Sequence, residues 1–194
     1  FEIAVVSAPA GQTADLLQGA PSVAARARDT VMQGCWAVML AFQRSLGLDF
    51  DGAFVDGSPL SWIARNSSKP GRNAEAETWV LHASAEWTHA HLDEPAESIA
   101  QLLIEEFWPA IGLSATSADY SVAHRWRYAR PPEPLAESSL FDPELQVAAC
   151  GDWCGGPRVE GAFLSGASAA GRVMGLLKYD HASIVPGLEQ RSLF

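Results

Sequence analysis

The apolar positions fall into short unbroken runs and one clear helical stripe. Residues 1–7 are mostly β-branched and apolar without polar alternation, the pattern of a strand buried on both faces, and Ala8-Pro9-Ala10-Gly11 breaks it. A short helix over about 13–17 follows. Cys35-Trp36-Ala37-Val38-Met39-Leu40-Ala41-Phe42 is a second long apolar strand, and Gly52-Ala53-Phe54-Val55 a shorter one entered through the turn dipeptide Asp51-Gly52, which suggests neighbouring antiparallel strands. Leu60 to Ala64 continues the pattern, the polar Asn66–Asn73 stretch with its Pro-Gly reads as an exposed loop, and Thr78 to Ala83 is another strand. Between Glu94 and Ile111 the apolar residues Ile99, Leu102, Leu103 and Phe107 recur at helical spacing, with Pro95 near the first turn and Gly112 just past the end. His124 to Arg130 alternates aromatic and imidazole groups with arginines, a strand closed by Pro131-Pro132, and 131–143 is loop.

The last third is built differently. Leu145 to Cys150 is a buried-type strand running into Gly151-Asp152 and a Gly-Gly-Pro turn. Val159 to Leu177 then carries Gly161, Ala162, Ser165, Gly166, Ala169 and Ala170 at three- to four-residue spacing, as in a helix packed tightly against a sheet or a flat ligand. Periodicity is lost after Lys178, and the remainder reads as a flexible tail.

Composition narrows the function classes. With 48% hydrophobic and 19% charged residues the 194-residue chain is globular. A formal net charge of -10 repels a phosphate backbone, so no nucleic-acid partner is expected. No apolar run approaches the roughly 20 residues needed to cross a bilayer, so no membrane partner is expected either. The three cysteines form no disulfide framework, which suits a reducing, cytoplasmic setting. The sequence begins inside a strand-like run without an initiating Met, which reads as a fragment whose upstream partner strands are elsewhere.

The unit at Val147 to Leu177 carries the chemistry. A glycine at a strand end lets a ligand approach the backbone, the next carboxylate accepts hydrogen bonds from polyol hydroxyls, and a helix N-terminus offers free amides and positive potential. Those are the demands of a nucleotide or flavin, and Gly161 would remove bulk where a ring system lies. An ordinary α/β crossover, with glycines serving only close helix–sheet packing, fits the spacing equally well.

The stretch C-G-D-W-C-G-G-P-R-V-E-G-A-F-L-S-G-A-S-A-A-G-R-V (150–173) resembles the C-terminal flavin-binding motif of the FAD-dependent amine oxidase superfamily. S-P-L-S-W-I-A-R-N-S-S-K-P-G-R, T-W-V-L-H-A-S and A-H-R-W-R-Y-A-R-P are similar to the bacterial renalase group within it. The resemblance implies an α/β fold: the C-terminal portion of a two-domain FAD/NAD(P)-binding, amine oxidase-like architecture with an inserted mixed, largely antiparallel substrate-domain sheet. Residues 1–19 and 147–178 would belong to the FAD domain, 20–146 to the substrate domain and 179–194 to the tail. No G-x-G-x-x-G is present, so the N-terminal dinucleotide-binding half is an expected partner that this sequence does not supply.

The resemblance further implies an FAD-dependent oxidoreductase that returns 2- or 6-dihydro isomers of NAD(P)H to NAD(P)+. Hydride would pass to FAD and electrons to O2, giving hydrogen peroxide. Its implied cofactor residues are Gly151, Asp152, Arg158, Val159, Glu160, Gly161 and Ala162. His82, Trp126 and Tyr128 would shape a catalytic cavity, Arg65 and Asn66 would bind substrate, and no metal is expected. Each has a bland alternative: a hydrogen-bonded structural histidine, core aromatics, or an arginine meeting a surface carboxylate. The same holds for Arg125, Arg127 and Arg130 as phosphate ligands. Two further functions compete: an amine oxidase or desaturase of the same superfamily, disfavoured by the absence of lysine from the A-H-R-W-R-Y strand, and an inactive fragment or interaction module.

Overall fold

The computed structural model describes residues 2–72 and 75–177, so the expected tail at 179–194 lies outside the described residues. In chain order the elements are β1 (Ala4–Val6), α1 (Ala10–Leu16), α2 (Pro21–Asp29), β2 (Gln33–Phe42), β3 (Gly52–Phe54), β4 (Leu60–Arg65) and β5 (Glu77–Ala83). Then come α3 (Ala85–Ala90), α4 (Ala96–Ile111), β6 (Tyr120–Arg130), β7 (Leu140–Asp142), β8 (Val147–Ala149) and α5 (Val159–Leu177). The class is mixed α/β, as expected. Two compact units divide the chain: 1–32 with 130–194, and 33–129. The divisions fall at 32/33 and 129/130, where the sequence patterns suggested 19/20 and 146/147.

The first unit holds a three-stranded sheet in the order β1-β8-β7, with β1 parallel and β7 antiparallel to β8. Its interior is made of small side chains around one large one. Ala10, Ala14, Ala20, Val23, Ala27 and Ala149 enclose the fully buried indole of Trp153. Small residues let α1 and α2 lie close, and Pro21 opens α2 where its missing N–H costs nothing. The strand at 1–7 was expected to be buried on both faces; β1 is instead an edge strand and Val5 is 51% exposed. Neither α2 nor β7 was foreseen: α2 because alanines and arginines dilute its stripe, β7 because it is a three-residue strand in a proline-rich stretch.

The second unit is a five-stranded sheet, β3-β4-β5-β2-β6, antiparallel at β3–β4, β4–β5 and β5–β2. The strand at 52–54 pairs with β4 and not with β2, which corrects the neighbour relation drawn from sequence. Strand alternation puts Trp36, Val38, Leu40 and Phe42 of β2 and Trp79, Leu81 and Ala83 of β5 on one face. The α4 stripe of Ile99, Leu103, Phe107 and Trp108 completes that core. Trp79 is fully buried between Phe50 and Phe107, with centroids at 5.9 and 5.6 Å, and gives its Nε1–H to Glu77 at 2.8 Å. Burial of such an indole contributes about 4–6 kcal/mol of gross hydrophobic stabilisation. Gly112 ends α4 in the left-handed region, φ 70°, as its glycine predicts. His89 and His91 lie in α3 and at its C-cap, because the Ser84 hydroxyl accepts the Trp87 N–H and starts a helix there.

Candidate functional site

Parallel pairing of β1 and β8 brings two strand ends out on the same side of the sheet, the place where open α/β sheets bind ligands. The ladder closes with the Cys150 N–H on the Val6 carbonyl at 3.0 Å. Beyond it Ser7-Ala8-Pro9 and Gly151-Asp152-Trp153 separate. With Arg158, Val159 and Ala162 of the α5 start they line a groove of about 520 Å³. The first α5 backbone bond is from the Ala162 N–H to the Arg158 carbonyl at 2.9 Å, so the amides of Val159, Glu160 and Gly161 precede it, at the positive end of a 19-residue helix. Val159 is 90% exposed.

Each glycine here has a local reason. Gly151 sits at φ 155°, and a Cβ on it would lie 2.7 Å from the Trp153 Nε1, so the indole demands glycine. Its N–H donates to the buried Ser165 hydroxyl at 2.9 Å, tying the strand end to α5. At Gly161 a Cβ would come 2.3 Å from the Gly156 carbonyl oxygen. The space that sequence reasoning gave to a flavin ring is filled by the Gly-Gly turn itself, which corrects the reason offered for Gly161.

Burial pushes the Asp152 carboxyl above its ordinary value, opposed by hydrogen bonds it accepts from its own amide and that of Trp153. It is the acidic group of the groove, half-buried, and the exposed Arg158 immediately precedes α5 in the same lining. Cys154 is fully buried and its thiol is pushed up to about 12 by that burial. It is no nucleophile.

The structure therefore gathers Gly151, Asp152, Arg158, Val159 and Ala162 in one groove, with Glu160 and Gly161 in the first turn of α5. Sequence reasoning missed the Ser7–Pro9 lip and Trp153; an Ala-Pro closing an apolar strand was the available signal.

His82, Trp126, Tyr128, Arg65 and Asn66 belong to the second unit. His82 alternates with the core residues Leu81 and Ala83, so it points to the sheet face away from α4. Arg125 stacks on the core residue Trp36 and Ala123 packs on the core, so the even positions His124, Trp126 and Tyr128 share the His82 face. Trp126, 56% exposed, meets His124 edge-on at 4.6 Å. His82 lies two strands from β6, about 10 Å away, so these groups share a face without touching. Burial, and next the charge of Lys69, lowers the His82 pKa from 6.5, leaving a neutral imidazole at pH 7.

Arg65 is committed elsewhere. Its Nε and Nη2 fork onto Asp51 at 3.0 and 2.5 Å and its Nη1 donates to the Leu48 carbonyl at 3.1 Å, which makes it a loop clamp. Asn66 opens a 3-10 turn, its carbonyl accepting the Lys69 N–H at 3.3 Å. Arg125 and Arg127 both bind Asp93, at 3.3 and 2.7 Å, the surface-carboxylate alternative. Among the described residues no group of three or more His, Cys, Asp or Glu could hold a metal ion, and no helix is long and apolar enough to cross a membrane.

No family model matches the chain. Solved structures do resemble it. A protein from Exiguobacterium sp. 255-15 described as a protoporphyrinogen oxidase superposes with a TM-score of 0.70 at 11% identity, over 91% of this chain and 41% of that one. Cyclohexylamine oxidase from Brevibacterium oxydans IH-35A gives 0.66 at 15% identity, over 90% and 43%. A putrescine oxidase redesigned in its cofactor binding gives 0.61 at 14%, over 88% and 42%. What is shared at this identity is the fold, and the chain spans about two fifths of the length of these structures.

Proposed function

We infer that the chain is part of a flavin-dependent oxidoreductase and that the groove at the ends of β1 and β8 receives FAD. The observation that carries the reading is the coincidence, in one groove, of two parallel strand ends, the amides that open α5, and a glycine–aspartate pair. The residues fit the group. A volume of about 520 Å³ is in the range of a small-molecule site, the Asp152 carboxylate can exchange its backbone partners for polyol hydroxyls, and the α5 start favours negative charge beside it. FAD, when bound, supplies the hydride-accepting and O2-reacting chemistry.

The rest of the cofactor domain is assigned to sequence outside these 194 residues. Its support is the open edge of β1 and the apolar outer side of α5, where Phe163 is 73% exposed beside Val159 and Leu164. On the motif resemblance, the substrate proposed is a 2- or 6-dihydro isomer of NAD(P)H, oxidised to NAD(P)+ with peroxide as the second product. His82, neutral, and the aromatic Trp126 and Tyr128 on its sheet face are proposed to present a flat, weakly polar wall to it. Asn66 is retained as a substrate contact, and Arg65 is not.

A second reading, oxidation of a small amine, is favoured by the names of two of the structural neighbours. Anaerobic mixing of the flavin-loaded gene product with 6-dihydro-NAD, with NADH and with a simple amine separates the two. Bleaching of the flavin bands by the isomer alone, reversed by air with peroxide release, is the expected outcome; bleaching by the amine alone would replace it with the second reading.

A further inference from the structure

The two lips of the groove are joined by a side chain outside the predicted cofactor set. Ser7, Ala8 and Pro9 leave β1 on one side and Gly151, Asp152 and Trp153 leave β8 on the other. Past the last ladder bond, the Trp153 Nε1–H donates across to the Ala8 carbonyl at 3.0 Å. The indole is fully buried and occupies the space a Cβ on Gly151 would need, so indole and strand-end backbone fix each other. Its own carbonyl accepts the Leu135 N–H at 2.9 Å, which holds the Trp153 backbone from behind. The second donor to the Ala8 carbonyl is the Thr13 hydroxyl, at 2.8 Å, from a buried α1 side chain that does not line the groove.

From these contacts we propose that Trp153 is the positioning residue of the groove: its indole N–H sets the spacing of the two lips, and through it the grip on the ligand. The ligand consequence rests on the FAD reading above; the mechanical claim does not. Once β1 and β8 stop pairing, the two lips have different continuations, one into α1 and the other into the turn before α5. A direct donor across the gap removes that freedom at the cost of one side-chain bond and leaves the groove floor open.

Two variants separate positioning from bulk stability. Trp153→Phe keeps an aromatic ring and deletes the donor; Thr13→Val is nearly isosteric and deletes the other donor to the same carbonyl. Each leaves the Ala8 oxygen one partner. In the intact gene product, with whatever precedes and follows these residues, amide hydrogen exchange at 150–153 is measured without ligand, and FAD affinity is measured by titrating the visible flavin bands. Trp153→Phe is expected to accelerate exchange at 150–153 by about fivefold and to weaken FAD by about three- to tenfold, the loss of one hydrogen bond, while Thr13→Val changes neither by more than about twofold. Unchanged exchange in Trp153→Phe, or equal acceleration in both variants, overturns the proposal whether or not FAD binds. Accelerated exchange in Trp153→Phe alone, in a wild-type protein that takes up no FAD, supports the positioning role and overturns the FAD reading of the groove.

Discussion

Replacing Gly161 by alanine tests whether the start of α5 is shaped by its own turn. A Cβ there would lie 2.3 Å from the Gly156 carbonyl oxygen and 2.8 Å from the carbonyl carbon, both backbone atoms, whereas side chains do not approach closer than 3.0 Å. The turn must retreat by the better part of an ångström. It is held on its far side by the Gly155 N–H on the Leu135 carbonyl at 2.8 Å, so the retreat disturbs a second bond. Overpacking of this kind costs about 1–3 kcal/mol, against a gain of about 1 kcal/mol from alanine's helix propensity. Gly171, in the same helix with nothing within 4 Å, is the control: Gly171→Ala collects only the gain. At about 2–4 °C per kcal/mol, thermal unfolding by circular dichroism should show Gly161→Ala melting lower by a few degrees and Gly171→Ala higher by about 1–4 °C. If both variants melt higher, the close approach at Gly161 is not a constraint and the space is free for a ligand after all.

Further expectations follow from the side-chain contacts. Arg65 holds the Asp51 carboxyl below its ordinary 3.8, so this pair stabilises the fold above that pH and the contribution is lost as pH falls through the lowered value; Arg65→Met should flatten that part of an acid-unfolding curve followed by tryptophan fluorescence and leave substrate KM unchanged. Cys154, pushed up to about 12 from 9.0 and fully buried, should react with iodoacetamide at pH 8 far more slowly than an ordinary thiol until the protein unfolds, as read by mass spectrometry. Trp79→Ala should cost about 3–5 kcal/mol in urea unfolding, because a fully buried ring with aromatic neighbours leaves a cavity, while Phe54→Ala, at 83% exposure, should change stability by less than about 0.5 kcal/mol.

Much of the architecture was legible because it is written in local patterns. The α4 stripe ends at Gly112, the small-residue spacing of α5 runs from Val159 to Leu177, and the apolar runs at 35–42 and 78–83 mark β2 and β5. Strand order was not legible: that β3 pairs with β4, and that β1 is an edge, depends on contacts between distant segments which no local period encodes. The groove was half legible. Gly151, Asp152 and the α5 start were marked by the strand–turn–helix motif, but the opposite lip at Ser7–Pro9 carries no chemistry-bearing residue, and Trp153 looks like any buried aromatic until its N–H is seen on Ala8. Arg65 was ambiguous for a similar reason. An arginine before a loop is ambiguous in sequence, and only the structure shows its fork onto Asp51.

FAD is proposed to occupy the groove between the β1 and β8 ends and the α5 start. Ala162 lines that groove outside the buried core, so Ala162→Trp fills it while leaving the sheet and Trp153 in place. Flavin absorbance per mole of purified gene product, measured alongside the melting temperature, is the direct reading. Stoichiometric FAD in the wild type, and its loss in an Ala162→Trp variant that still unfolds cooperatively, is the expected result. A wild-type protein without flavin, or a folded Ala162→Trp protein that keeps its full complement, would contradict it.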